Sequence, residues 1–315
     1  MAVSTALAGS AMRAGGIWLL LAACVAGAAA AVPGFADPLN LANVLRQAGV
    51  LGVLAIGQTF VIVAGMIDLS VGMIAGLVVV LACWALGADP AMTIPVALAM
   101  LALGAGIGLV NGLLLNRLEV HPLILTFGML SVLQGAIFTI TDRSVGIASP
   151  ALRTLANGDL LGFPLAAILL FGLAGAFHVL LSRTRFGLHL TAAGSAPESA
   201  RRAGVNVARL RLLAFVISGL LAGLGGLLLA GRLGTGYPLA GAGLELDAIV
   251  AVVLGGVALS GGRGSVMNAI GGVLALSVLS NALNLMGVSA YAQMFIKGTV
   301  VIAAILVNQP RRGEA

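Results

Sequence analysis

Three acidic residues stand inside or beside long apolar runs: Asp68 in GMIDLSVG, and Glu245 and Asp247 in GLELDAIV. Ionisable groups at membrane depth are expensive, which makes them candidates for a solute, proton or cation path, or for pairing within a bundle. Polar residues that could assist them occur in neighbouring apolar runs: Gln58, Ser70, Asn111, Gln134 and Asn281. The same acids have a structural use, because a carboxylate at a helix opening can cap free amides and meet the positive end of the helix dipole. Lys297, the chain's one lysine, lies in the last apolar run. It can pair with one of these acids or snorkel to an interface, and the second is the expectation. His121, His178 and His189 lack companion ligands at metal spacing, so no metal site is expected.

These groups need a scaffold that holds them in an apolar medium, and composition supplies one. The 315 residues are 60% apolar and 8% charged, against roughly 25% charged in soluble domains. The fold class expected is an all-α polytopic membrane protein. About ten spans, some of them short and discontinuous, are read between Ile17 and Val307, with both termini on the cytoplasmic side. Ile17 to Val32 could instead be a cleaved signal segment, since Ala28 to Ala31 offers small residues. Pro33 to Asn43 and the turn-rich stretch Thr141 to Leu160 are expected outside. The net charge of +6 arises from basic residues at span ends with no aromatic interleaving, which argues for topology and against nucleic acid. Forty-five glycines, about twice ordinary usage, recur in Gly104 to Gly112 and at Gly219, Gly223 and Gly226, where they allow close helix approach.

Ser182 to Leu212 is the long polar interval between the apolar halves, with six arginines against one acid, Glu198. It is therefore read as cytoplasmic. Ser195 and Glu198 fit a capping box that would open a short helix. Gly204 would close it after roughly two turns. A small helix flanked by Arg201 and Arg202 has the form of a docking knob; a basic loop lying against lipid is the other reading.

The halves also resemble each other. Gly65 to Leu81 and Gly243 to Leu259 each set an acid beside leucine before a short glycine-containing apolar run, and Asn111 and Asn281 follow in the same order. An odd number of intervening spans would give the copies opposite orientation, so two inverted-topology repeats are expected, about 44–141 and 212–307, within a single transmembrane domain over 1–315.

No GxxxxGK[ST], GxSxG or HExxH occurs. Ten Phe, two Trp and two Tyr leave little aromatic surface for stacking against a solute, which suits a weak-binding conduit.

Three segments, Gly57 to Leu77, Ala192 to Leu212 and Gly243 to Ser289, together resemble the permease subunit of bacterial ABC importers of the ribose and monosaccharide type, and the likeness runs from about Asn40 to Val307. The resemblance implies an inner-membrane permease that works as a homodimer or a closely related pair. It also implies a cytoplasmic ATPase holding the ATP and Mg, a periplasmic sugar-binding protein, and no cofactor on this chain. The coupling helix of such permeases falls on about Ser195 to Ala203, with Ser195, Pro197, Glu198, Ala200, Arg201, Arg202 and Gly204 as its residues. Where that family commonly carries an alanine pair, this chain has Glu198, Ser199, Ala200, Arg201 and Arg202. Gln58, Asp68, Ser70, Asn111, Glu245, Asp247 and Asn281 are then expected along the translocation pathway or at helix breaks. The rival readings are an ion-coupled secondary carrier of a small polar solute and a membrane assembly protein without transport.

Overall fold

The computed structural model describes residues 2–86, 89–118, 120–289 and 291–299, and it is helical almost throughout. The helices are α1 (Ala2–Ala31), α2 (Pro38–Val63), α3 (Val71–Leu86), α4 (Thr93–Leu118), α5 (Pro122–Ile140), α6 (Pro150–Asn157), α7 (Leu165–Arg183), α8 (Arg185–Ser195), α9 (Pro197–Arg202), α10 (Val207–Leu233), α11 (Leu244–Leu254) and α12 (Val266–Leu285). A two-residue antiparallel pair, Asp159–Leu160 with Phe163–Pro164, precedes α7.

Six helical segments among the described residues are long and apolar enough to cross a membrane: Pro38–Val63, Pro90–Leu118, Pro122–Ile140, Leu165–Arg183, Val207–Leu233 and Val266–Leu285. Gly15–Ala31 and Val71–Ala85 are shorter apolar helices. With 11 residues, α11 is about 16 Å long, half of a roughly 30 Å hydrocarbon core. The last expected span, Val288 to Val307, is helical over 291–299; 290, 300–307 and the tail with Arg311 and Arg312 lie outside the described residues.

At the centre is α2, buried continuously from Ala48 to Val63. Glycines bring α10 close to α4: a Cβ on Gly112 would stand 2.9 Å from Leu212 Cα, and one on Gly104, Gly108 or Gly219 would overlap the facing backbone. Such close approach replaces the hydrophobic drive that helices lack in lipid. The outer faces of α4 and α5 carry exposed Ile94, Leu98, Ile124, Phe127 and Val132, as lipid-facing helices do.

Two segments break the pattern of long spans. At Gly65 (φ 79°) α2 stops: the Gly65 amide donates to Ile62 O (2.9 Å) and Met66 N–H to Val61 O (3.0 Å), a glycine-closed helix end that leaves 66–70 irregular. From this break α3 runs to Cys83, whose carbonyl accepts Ile147 N–H (3.2 Å) at the opposite end of the bundle. The chain after α10 travels the other way. Gly236 pairs with Val145 there (2.9 Å both ways), and Gly241 has descended to the first turns of α3, where a Cβ on Gly76 would lie 3.3 Å from its Cα. The next helix, α11, then continues to the turn at Gly261, 2.6 Å from Gly65 Cα when a Cβ is built on it. So α3 and α11 begin side by side inside the bundle and run in opposite senses.

Candidate functional site

The break between α2 and α3 explains the polar residues around it. Non-helical backbone at membrane depth needs partners from protein. Gln58, one helix turn and more before the break, turns its amide to the Asp68 backbone, donating to the carbonyl and accepting from the N–H at 3.2 Å each. Asp68 Oδ1 accepts the Ser70 N–H (2.9 Å) and the Ser70 hydroxyl (2.6 Å), and Oδ2 accepts the Ser218 hydroxyl from α10 (3.1 Å). Asn111 on α4 donates to Ser70 Oγ (2.9 Å). Thr126 on α5 places its hydroxyl 2.9 Å from Pro122 O and 3.3 Å from Ile67 O. Four helices thus splint one irregular segment, and each residue of the set is sealed: Gln58, Asp68, Ser70, Asn111 and Thr126 have no exposure and Ser218 has 1%.

Four of the sequence candidates therefore come together, and they do so at a helix break. Ser218 and Thr126 were not foreseen, because a serine or threonine in an apolar helix ordinarily bonds its own preceding turn and gives no pattern. In this conformation the set has no face open to a solute.

Glu245 sits next to the cluster across Gly72, at the start of α11. Its Oε1 accepts Gly243 N–H (3.2 Å), the reach-back of a helix-opening cap, while Oε2 has no partner among the described residues. Asp247 points elsewhere, to Lys297 Nζ at 2.8 Å. That corrects the expectation that Lys297 snorkels: its side chain is about one-fifth exposed, its ammonium is within reach of an acid one helix away, and pairing neutralises both charges. We expect Lys297→Met to lower stability by about 2 kcal/mol and Asp247→Asn to act similarly, with the double variant much less than the sum, because each single change strands a half-buried charge. Thermal unfolding in detergent measures this, and additive losses would show that the pair is not coupled.

Asn281 makes different contacts from Asn111. It exchanges two amide hydrogen bonds with Asn40 (2.9 and 2.8 Å), tying α12 to the first turn of α2. Nearby, Arg46 binds both oxygens of Asp159 at 2.8 Å. His121 caps α5, Nδ1 accepting Leu123 N–H at 3.3 Å. Among the described residues no group of three or more His, Cys, Asp or Glu is arranged for a metal.

The arginine-rich interval is mostly helical, α8 and α9 in sequence, rather than a loop with one helix. Pro197 to Arg202 form α9, with Pro197 in the first turn, where its missing N–H is no loss. The expected capping box is absent. Because α8 continues to Ser195, that hydroxyl turns back to Thr191 O (2.9 Å) and Ala192 O (3.3 Å), and Ala196 takes the cap position without a side-chain bond. The other end is as expected: Gly204 at φ 82° donates to Arg201 O (2.9 Å), and Val205 N–H to Ala200 O (3.0 Å). Ala200 is the buried residue of α9; Glu198, Arg201 and Arg202 are exposed, and Arg201 bonds Glu198.

What seats this pair on the bundle is Gly194 at the end of α8. Any Cβ there would overlap Val63 O and stand 2.8 Å from Gly262 N, whose N–H donates to Val63 O (2.9 Å). One small contact joins the basic knob, the end of α2 just before the break, and the turn that follows α11.

Membrane-length helices packed around two short ones that begin inside the bundle are the architecture of a membrane transport component. Residues 40–305 match the family described as branched-chain amino acid transport system / permease component, and the chain belongs to that family. It is a multi-pass membrane permease. Its curated relatives include the ribose import permease protein of Bacillus subtilis, 38% identical over 284 residues, covering 89% of this chain and 87% of the relative. The galactose/methyl galactoside import permease protein of Salmonella typhimurium is 38% identical over 318 residues, covering 94% of each. The L-arabinose ABC transporter permease protein of Azospirillum brasilense is 34% identical over 286 residues, covering 90% and 84%. No solved structure matches.

Proposed function

We propose that this chain is the membrane subunit of an ATP-driven importer that carries a monosaccharide across the bacterial inner membrane. The observation that carries the reading is near full-length similarity to permeases named for ribose, galactose and arabinose. In this reading two copies form the conduit, the termini and the basic end lie in the cytoplasm, a periplasmic binding protein delivers sugar to the other end, and a cytoplasmic ATPase with its ATP and Mg docks on α9. No ATP site belongs to the chain itself. The opposite senses of α3 and α11 support an inverted pair of repeats.

The geometry suggests how force would travel. Movement of the ATPase shifts α9 and α8, and Gly194 transmits that shift to Val63 and Gly262. Both short segments end on that contact: α3 through the break at 66–70, α11 through the turn at 256–262. A displacement at the cytoplasmic surface thereby reaches both discontinuous helices at once, opening or closing the conduit that the two copies form.

Reversing the charges of the knob tests the docking surface. Arg201→Glu with Arg202→Glu should abolish stimulation of ATP hydrolysis by loaded binding protein and stop uptake. Folding should be nearly unchanged, since exposed ion pairs contribute about 0–1 kcal/mol. Normal uptake by that variant would remove α9 from the role. A branched-chain amino acid cargo is the reading favoured by the family's description, and uptake of labelled leucine beside ribose, galactose and arabinose separates the two.

A further inference from the structure

The start of α11 inside the bundle leaves room above it, toward the end opposite the basic knob. There α2, α10, α11 and α12 line a cavity of about 280 Å³ that is open on one side, near the lower limit of about 300 Å³ for small-molecule sites. Six polar side chains line it: Gln47, Arg232, Asp247, Ser277, Ser280 and Asn284. They come from four helices distant in sequence, and their chemistry is mixed. Arg232 is a fork of donors, and among the described residues no acid lies within ion-pair distance of it. Asp247 commits Oδ2 to Lys297, which holds the carboxylate in place and leaves Oδ1 as an acceptor. Asn284 commits its carbonyl oxygen to Gln293 (2.8 Å) and keeps its amide protons. Ser277, 1% exposed at the wall of the cavity, has a hydroxyl with no partner.

A buried hydroxyl left unbonded in an apolar bundle carries its full desolvation cost unless something completes it. Donors and acceptors interleaved around a small cavity match a solute whose neighbouring hydroxyls donate and accept at once. Arg232 and Asp247 put one charge of each sign in the wall, which favours neither an anion nor a cation. We infer that this cavity is a binding site for a neutral polyhydroxylated solute of monosaccharide size, occupied between delivery and passage. The inference rests on the sugar-import reading and adds to it the residues that touch the cargo. Val50, Leu51, Leu229, Leu233 and Leu244 complete the wall and no aromatic ring lines it, so the site holds its solute without ring stacking and releases it readily.

The test uses the assembled importer in proteoliposomes with Cys24→Ala and Cys83→Ala, and Asn284→Cys as a reporter at the exposed mouth. A membrane-impermeant thiol reagent is added outside with D-ribose, L-arabinose, D-galactose or leucine. Labelling should slow about two-fold or more in one of the sugars at millimolar concentration, where a site of millimolar Kd is half filled, and not in leucine. Adding Ser277→Ala should raise the sugar concentration for half protection about 2- to 10-fold, the equivalent of one hydrogen bond. Gln47→Cys on the opposite wall replaces the reporter if Asn284→Cys fails to assemble. Labelling indifferent to every sugar while one of them is still imported would overturn this site alone. Protection by leucine would overturn the solute class. Import of none of the sugars by the cysteine-free parent would remove the sugar reading and this inference with it.

Discussion

Asp68→Ala should be the most damaging change to stability among the polar residues, lowering it by about 3 kcal/mol or more, because it leaves the Ser70 amide, the Ser70 hydroxyl and the Ser218 hydroxyl unbonded in the interior. These three donors converge on one carboxylate with no exposure, and no water-accessible face exists to replace it. Asp68→Asn should be much milder. Its carbonyl can keep both Ser70 donors, and the Ser218 hydroxyl can rotate to accept from the new amide. Unfolding temperature in detergent and yield in the membrane fraction separate the two variants. Equal losses would mean that the negative charge, and not the acceptor geometry, holds the break. A mild Asp68→Ala would mean the splint is dispensable.

Gly194→Val should separate ATP hydrolysis from transport. Its side chain cannot occupy the space between Val63 O and Gly262 N, so the last turn of α8 has to lift away from the bundle. Overpacking of this kind costs about 1–3 kcal/mol locally, which leaves six membrane-length helices and the α4–α10 seam in place. Docking of the ATPase on α9 would persist while its movement no longer reaches α3 and α11. The expected result is a folded, assembled importer that hydrolyses ATP with uptake near background. Uptake retained at the parent's rate would place the coupling path elsewhere.

How far the sequence foretold this depends on what kind of signal each residue gave. Asp68, Gln58 and Asn111 are legible because a strongly polar group in an apolar run always demands a partner. The glycines of α4 and α10 are legible for a related reason, since repeated small residues have few uses in a bundle other than close approach. Ser218 and Thr126 were hidden by their ability to satisfy themselves locally. The capping box at Ser195 misled because the motif describes a helix start and says nothing about a preceding helix that runs into it; α8 does so. Lys297 misled through distance: its partner lies 50 residues earlier, and nothing local marks the pairing. Asn111 and Asn281, matched by their order in the two halves, serve different contacts, and nothing in either residue's neighbours foretells which. The stretch Thr141 to Leu160, read as turns, contains α6, whose Leu152 and Ala156 pack inward beside Gly231. With 8 residues, it is too short for periodicity to stand out.

In the proposed mechanism this permease is a gate moved from outside itself. Transport by the purified chain in proteoliposomes, measured alone under proton and sodium gradients and again with its ATPase, binding protein and ATP, tests that most directly. Sugar should accumulate only in the complete, ATP-supplied system. Accumulation by the chain alone, driven by an ion gradient, would contradict it.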